Sequence, residues 1–269
     1  MLCPCFENTK MKISVIKVGG NVINDEVALS SFLEQFSQLE GAKVLVHGGG
    51  KLATAMAQRL GIEPKMVDGR RITDADTLEV VTMVYGGLVN KRIVAQLQAK
   101  GTNAIGLTGA DANIIEADKR TGWEIDFGFV GDVRKANAGP IANLAKEGIT
   151  PVIAPLTHDK KGQLLNTNAD TMAQAVAVAL GQAGHEVSLR YCFEKAGVLL
   201  DINDDNSLVE ELDPQKFEQF KAEGVVADGM LPKLKNAFDA IEASVKEVWL
   251  GKVEGLLANT PKGTKIIGE

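Results

Sequence analysis

Short β-branched runs alternate along the chain with longer segments in which apolar residues recur every three or four positions. The first pattern predicts strands at Lys12–Val18, Lys43–His47, Asn103–Leu107, Thr150–Pro155, Glu186–Tyr191, Val198–Asp201, Glu247–Leu250 and Thr264–Ile267. The second predicts helices at Asp25–Leu39, Leu52–Leu60, Asp74–Lys100, Ile141–Glu147, Ala169–Leu180, Pro214–Ala222 and Leu231–Val245. Strands that alternate with helices indicate an α/β protein with a mainly parallel sheet covered on both faces.

Two segments interrupt this alternation. Gly86-Gly87 predicts a bend within the longest helix, and the Gly and Trp residues between Ile114 and Val133 predict an antiparallel hairpin beside the main sheet. There is no internal repeat and no low-complexity linker. We therefore expect two lobes built on one continuous sheet.

The composition is that of a globular protein. The chain has 269 residues, 45% of them apolar and 24% charged, which excludes the disordered and fibrous classes. A net charge of −6 argues against a general nucleic-acid or membrane-surface binder, and no apolar run approaches the roughly 18–20 residues that span a bilayer. The 28 Gly residues suit an α/β protein whose loops approach a ligand closely, and the presence of only 3 His disfavours a multi-histidine metal site and imidazole-based catalysis.

The cysteines and the N-terminus favour a cytoplasmic protein. Cys3, Cys5 and Cys192 form no disulfide framework, and Cys3-Pro4-Cys5 is too tight for a zinc site. Residues 1–11 lack the apolar core of a signal peptide, so we expect a flexible tail there.

Two Gly-rich turns each follow a predicted strand. Gly19-Gly20 comes after Lys17, and Gly48-Gly49-Gly50 comes after His47. Such turns bring backbone N–H groups close to phosphate oxygens at the carboxyl edge of a parallel sheet, although each alone also fits an ordinary strand-end turn. Lys17 would add a positive charge beside the first turn, unless it is a solvated edge residue.

Three further polar groups lie beside predicted helix starts or loops. Arg70 and Arg71 are in a loop, where an arginine fork could bind a carboxylate or simply face water. Asn166, Asn168 and Asp170 open a helix, as ligand groups or as N-caps. Lys233 begins another helix against the helix dipole, which a bound anion would offset. Asp126-Phe127-Gly128 spells a protein-kinase triplet without its companion motifs, so we interpret it as a hairpin coincidence.

Five strings occur together in one order: IKVGG, VHGGG, GRRIT, LNTNAD and DGMLPK. In this order the chain resembles the N-acetylglutamate kinases of the amino acid kinase family, from Lys12 to Glu269. The resemblance implies a three-layer αβα sandwich with an open, mainly parallel sheet. It implies an acylglutamate lobe at about 12–180 and an ATP lobe at about 181–269. It also implies phosphorylation of the acylglutamate side-chain carboxylate by ATP, the second step of arginine biosynthesis.

The resemblance also implies roles for individual residues. Lys17 and Lys233 match the two lysines that contact the transferring phosphoryl group and bind nucleotide, and Asp170 matches the acid that organises them. Arg71 and Asn166 match substrate-binding residues. The turns supply the remaining contacts, with substrate assigned to Gly48 and Gly49 and nucleotide to Gly19, Gly20 and Gly50. Because Mg²⁺ binds mainly through nucleotide phosphates and water, we predict no protein metal ligand.

The resemblance leaves several points open. Cys192–Gly197 departs from the family string, and Glu194 could replace an aspartate near the nucleotide. The acyl group is acetyl or, with Arg70 as a second cation, succinyl. Thr108–Asp111 is compatible with the family's lid. The short tail predicts a homodimer that arginine does not inhibit. The alternatives are a family member that acts on another small carboxylate and a catalytically silent nucleotide-binding regulator.

Overall fold

The computed structural model describes residues 10–67, 69–201, 203–226, 230–258 and 260–268. Cys3, Cys5 and most of the predicted tail lie outside these residues, as do Asp68, Asp228 and Gly229. Among the described residues, no helix combines the length and the apolar character needed to cross a bilayer.

The chain forms fourteen described strands. They are β1 Lys12–Val18, β2 Ala42–His47, β3 Met66–Val67, β4 Arg70–Arg71, β5 Ala104–Leu107, β6 Ile115–Lys119, β7 Gly131–Ala136, β8 Thr150–Ile153, β9 Leu156–His158, β10 Leu164–Asn166, β11 Glu186–Cys192, β12 Glu211–Leu212, β13 Glu247–Gly251 and β14 Thr264–Ile266.

The described α-helices are α1 Gly20–Asn24, α2 Glu26–Gln38, α3 Gly50–Arg59, α4 Ala75–Val81, α5 Asn90–Ala99, α6 Ala138–Lys146, α7 Ala169–Gln182, α8 Pro214–Ala222, α9 Leu231–Ala243 and α10 Val253–Leu256. A π-helical segment, Thr82–Val89, joins α4 to α5, and short 3₁₀ turns occur at Asp111–Asn113 and Asp205–Ser207.

Eight strands form the main sheet in the order β12-β14-β13-β11-β1-β2-β8-β5. All neighbouring pairs are parallel except β13 and β14. Strands before residue 180 lie on one side of the β1–β11 boundary, and strands after it lie on the other. The strand order therefore changes direction at β1, and this is where ligands bind in open α/β sheets.

Two hydrophobic cores cover the two faces of this sheet. Along β1, Ile13 and Val15 pack into the core that contains α7 and α9, while Ile16 and Val18 pack into the core that contains α2 and α3. This alternation follows from the two-residue period of a strand. Lys17 has the same parity as Ile13 and Val15, so its side chain is directed toward the face covered by α7.

A smaller four-stranded sheet, in the order β10-β9-β6-β7, lies beside the main one. The predicted hairpin is confirmed, because β6 and β7 pair antiparallel within it. The segment between these strands returns to the main body through Gly128, which bridges to Thr73. The small sheet thus borders the carboxyl end of the main sheet near the predicted substrate residues.

Three local predictions were wrong. Val198–Asp201 is not a strand: Val198 N–H donates to the Thr264 hydroxyl, and the chain doubles back so that only Leu199 bridges to Leu208. Arg70 and Arg71 are not in a loop, because β4 pairs antiparallel with β3. The long helix contains a π segment instead of a simple glycine bend, and a π turn shifts the helical register.

Candidate active site

Lys17 and the two Gly-rich turns meet at the carboxyl ends of adjacent parallel strands. Lys17 and Val18 end β1, which pairs with β2 on one side and β11 on the other. The Gly48 N–H donates to the Val18 carbonyl oxygen at 3.2 Å, so the second turn lies directly against the end of β1. The crevice results from the order of the strands in the sheet, which brings the two turns together; neither turn forms it alone.

Asp170 joins two lysines that are far apart in sequence. Its Oδ1 atom lies 2.7 Å from the Lys17 Nζ atom, and its Oδ2 atom accepts a hydrogen bond from the Lys233 ammonium. Asp170 lies in the first turn of α7, Lys17 is the second-to-last residue of β1, and Lys233 lies in the first turn of α9. The core between these elements therefore determines the spacing of the two ammonium groups.

Burial and the neighbouring charges shift the pKa values of this cluster. Desolvation lowers the pKa of the Lys17 ammonium, and the positive charge of Lys233 lowers it further, while Asp170 opposes both effects. Desolvation by itself would raise the pKa of Asp170, but the two lysine charges hold that pKa below its ordinary value. The site thus keeps an ionised carboxylate between two cations, with the side chain of Lys233 the more exposed of the two lysines.

The backbone at Gly49 requires glycine. Its φ is +155°, and a Cβ atom there would lie 3.0 Å from the ring of Tyr85. Gly49 is also the N-cap of α3, so the first N–H groups of that helix follow it. On the other side of β1, Gly19 lies against the carbonyl of Cys192, with 3.7 Å from an ideal Cβ position to that oxygen. The two turns thus flank the end of β1 closely enough for backbone donors to reach a ligand there.

Arg71 is directed toward the second Gly-rich turn. Its Nη2 atom donates to the Gly50 carbonyl at 3.0 Å and to the Thr54 hydroxyl at 2.7 Å. Its Nη1 atom is buried and has no hydrogen-bond partner among the described residues. The Arg71 side chain is half-buried, and a guanidinium with one nitrogen still able to donate is suited to an acidic ligand.

Arg70 occupies the opposite side of β4. Its side chain is exposed, and its guanidinium carbon lies 5.0 Å from the ring centroid of Trp123. Successive side chains of a strand point to opposite faces, which explains why these adjacent arginines have separate environments.

Asn166 and Asn168 have different tasks. The Asn166 amide nitrogen donates to the Thr73 hydroxyl at 3.0 Å. Asn168 caps α7, with its side-chain oxygen accepting from the N–H of Asp170 at 2.7 Å. Thr73 is held by the residues on either side of Gly128: its N–H donates to the Phe127 carbonyl at 2.9 Å, and its carbonyl accepts from the Phe129 N–H at 2.7 Å. Gly128 permits this close approach, since a Cβ atom there would lie 2.1 Å from the Thr73 carbonyl oxygen. The Asp126-Phe127-Gly128 triplet, interpreted above as a hairpin coincidence, therefore has a structural role beside Asn166.

Several residues around the site were not predicted from the sequence to take part in it. Tyr85 packs on Gly49, Thr54 bonds to Arg71, and His47 and Asn90 are buried beneath the second turn. Tyr85 and Asn90 lie within an apolar helical pattern that predicts core residues. The polar side chain of Asn90 at a predicted core position is the one sequence signal that could have identified this residue.

Among the residues that the structure describes, the site carries groups that fit a polyanion and none that gather into a metal centre. Two lysines and the Gly-rich turns face the carboxyl end of β1, whereas within the described part of the chain no three His, Cys, Asp or Glu side chains come together to hold a metal ion. Glu194 lies just beyond β11, after Phe193, whose N–H donates to the Gly251 carbonyl at 2.9 Å.

This sheet and this lysine pair define an α/β phosphotransferase. Residues 12–252 match the model of the amino acid kinase family, and the chain belongs to that family. The resemblance and the fold class predicted from the motifs are both confirmed.

Individual relatives are consistent with this assignment. The chain is 59% identical to an acetylglutamate kinase from Phocaeicola vulgatus, over 89% of this chain and 93% of that protein. It is 55% identical to an acetylglutamate kinase from Parabacteroides distasonis, over 95% of this chain and 99% of that protein. Carbamate kinase from Giardia lamblia, solved with AMP-PNP, superimposes with a TM-score of 0.66 at 13% identity, covering 97% of this chain and all of that one. That last similarity concerns the fold alone.

Proposed function

We propose that the protein transfers the γ-phosphoryl group of ATP to the side-chain carboxylate of an N-acylglutamate, as a step of arginine biosynthesis. The observation that carries this proposal is the bridging of Lys17 and Lys233 by Asp170 at the carboxyl end of β1. Relatives more than half identical to this chain bear the name acetylglutamate kinase, which supports the same acceptor.

The reaction needs no general base. A glutamate side-chain carboxylate has an ordinary pKa of about 4.3 and is ionised at neutral pH. One carboxylate oxygen forms a bond to the γ-phosphorus while the bond from that phosphorus to the bridging oxygen of ADP breaks. No proton is transferred, so the scarcity of histidine is no obstacle.

The main barrier is the meeting of an anion with a polyanion. Lys17 and Lys233 neutralise charge on the transferring phosphoryl group. Asp170 holds both ammonium groups in place, and its negative charge offsets the repulsion between them. In this proposal Gly48 and Gly49 contact the acceptor, with the Gly49 N–H at its junction with the transferring phosphoryl group, and Gly19, Gly20 and Gly50 contact the nucleotide. Bound Mg²⁺ would add charge neutralisation through the nucleotide phosphates.

The acceptor is held by the half of the sheet that precedes residue 180. The free Nη1 atom of Arg71 suits the α-carboxylate of the acylglutamate, while its other bonds fix the direction of the guanidinium. Asn166, oriented by Thr73, supplies a further polar contact. The strands after residue 180, on the other side of β1, then hold the nucleotide.

The test is ADP release in a coupled assay with N-acetylglutamate, N-succinylglutamate, glutamate and carbamate as acceptors. Hydroxylamine added to the reaction traps an acyl phosphate as a hydroxamate. We expect ADP release and hydroxamate with an N-acylglutamate. Release with glutamate or carbamate alone would favour another family activity, and ATP binding without release would favour a regulator.

We propose acetyl as the acyl group, with succinyl as the alternative to be tested. The exposed Arg70 stacks on Trp123 on the side of β4 opposite Arg71, so its side chain lies apart from the Arg71 contacts. The ratio of kcat/KM for the two acylglutamates, measured in wild type and in Arg70→Ala, decides the point. A preference for the succinyl compound that disappears in Arg70→Ala would establish a role for Arg70 in acyl selection.

A further inference from the structure

His47 forms a buried hydrogen-bond chain beneath the second Gly-rich turn. It ends β2 with no exposed surface, and its Nδ1 atom lies 2.7 Å from the carbonyl oxygen of the next residue, Gly48. Its Nε2 atom lies 3.2 Å from the side-chain nitrogen of Asn90, which is also buried. Neither residue contributes to the phosphoryl-transfer scheme above.

The partners of this chain determine where its protons are. A carbonyl oxygen only accepts, so the Nδ1 atom of His47 carries the hydrogen and the Nε2 atom must accept from Asn90. The Asn90 amide is oriented independently, because the same nitrogen donates to the Val152 carbonyl at 2.9 Å and its oxygen accepts from Lys91 at 3.2 Å. Burial also lowers the pKa of His47 to about 4, which keeps the ring neutral.

The surrounding backbone is adapted to this arrangement. Gly106 on β5 leaves room for Asn90, since a Cβ atom there would lie 1.8 Å from the Asn90 side-chain oxygen. Asn90 follows directly on the π-helical segment that also carries Tyr85, whose ring packs on Gly49. The same helical stretch thus contacts both His47 and Gly49.

A bond to the Gly48 carbonyl also fixes the next N–H group. The peptide between Gly48 and Gly49 is planar and trans, so its carbonyl and its N–H point in opposite directions. With the carbonyl held on the buried imidazole, the Gly49 N–H points away from His47. We propose that His47, held by Asn90, is a positioning residue that aims the Gly49 N–H at the transferring phosphoryl group, an inference that rests on the proposed function.

Two isosteric substitutions separate this role from space filling. Asparagine and leucine have side chains with the same number of heavy atoms and the same branch at Cγ, but only asparagine places an N–H donor near the position of the imidazole Nδ1 atom. We expect His47→Leu to lower kcat with N-acetylglutamate by roughly 10- to 100-fold, with both KM values within about twofold of wild type. His47→Asn should stay within about fivefold of the wild-type kcat, because the donor to Gly48 is retained.

The outcomes distinguish this inference from the proposed function. An active wild type with equal kcat values in the two variants would overturn the positioning role alone, whereas a wild type inactive toward every acceptor would overturn the proposed function. The tautomer provides a measurement that needs no variant. Long-range ¹H–¹⁵N NMR of the wild type should show a neutral ring protonated at Nδ1 between about pH 5 and 8. A ring protonated at Nε2 would overturn the inference.

Discussion

The Nζ atom of Lys17 lies 2.7 Å from Oδ1 of Asp170, although the stretch of chain between the two residues contains the strands β2 to β10. Both side chains are about nine-tenths buried, so the pair is largely removed from water. Removing the partners of a buried carboxylate lowers the stability of the protein much more than removing the partners of an exposed one. The first two predictions follow from this contact.

Lys17→Ala and Lys233→Ala should each lower kcat far more than they raise either KM. Each change removes charge stabilisation at the transferring phosphoryl group, an effect of roughly 10²- to 10³-fold per lost donor in comparable sites. Steady-state kinetics of ADP release measures it. Lys235→Ala, an exposed position on the same helix as Lys233, is the control and should behave as wild type. Near-normal turnover in either test variant would remove that lysine from the proposed catalytic set.

Asp170→Asn should destabilise the protein by about 3–5 kcal/mol at pH 7, because the two lysines lose their common counter-charge. The folded pKa of Asp170 lies below its ordinary value, so its ionisation stabilises the fold above the unfolded pKa of about 3.9. That contribution is lost as the pH falls through the folded pKa.

Denaturant unfolding at several pH values tests this dependence. The difference in unfolding free energy between wild type and Asp170→Asn should shrink below about pH 4. Asp239→Asn, an exposed change on α9, should show no such convergence. A difference that is the same at every pH would contradict the proposed charge effect.

Arg71→Lys should raise KM for the acylglutamate and leave KM for ATP nearly unchanged. Lysine cannot bond to Gly50 and Thr54 while still presenting a second nitrogen to a carboxylate. Arg70→Lys is the matched control on the exposed side of the same strand, and it should leave KM for N-acetylglutamate unchanged. A defect confined to ATP would place Arg71 with the nucleotide.

Gly128→Ala should raise KM for the acylglutamate and lower stability by more than the roughly 1–2 kcal/mol of left-handed backbone strain alone. Its φ is +70°, and the new Cβ would collide with the carbonyl of Thr73, the residue that orients Asn166. Gly122→Ala has a similar φ of +82° and no atom within 4 Å, so it measures the backbone strain by itself. Equal losses in the two variants would show that the Thr73 contact is unimportant.

Long periodic segments could be predicted from the sequence with accuracy. β1 and α8 have the predicted bounds, because a β-branched run before Gly-Gly and a Pro-initiated amphipathic run leave little choice of ends. The strands β9 and β10 were missed because three residues are too few to show a period. The π segment was missed because its apolar pattern also fits an α-helix.

The residues of the candidate site also differ in how well they can be predicted from the sequence. Lys17 is conspicuous in the sequence because a charge interrupts an apolar strand, and Arg71 because it stands in a polar segment. Tyr85 and Thr54 are not conspicuous, since their contacts with Gly49 and Arg71 exist only after α3 and the π segment have packed together. Local pattern indicates which residues are chemically unusual, but tertiary packing decides which of them meet.

The crevice at the end of β1 has the opposite electrical sign to the chain as a whole. Lys17 and Lys233 bind the carboxylate of Asp170, and Arg71 adds a positive charge beside the second Gly-rich turn, within a protein whose net charge is −6. A positive recess in a negative surface concentrates the field on approaching anions. Nucleotide should therefore be drawn to this recess from solution, and its association rate should fall as added salt shortens the range of that attraction, which is about 8 Å at physiological ionic strength.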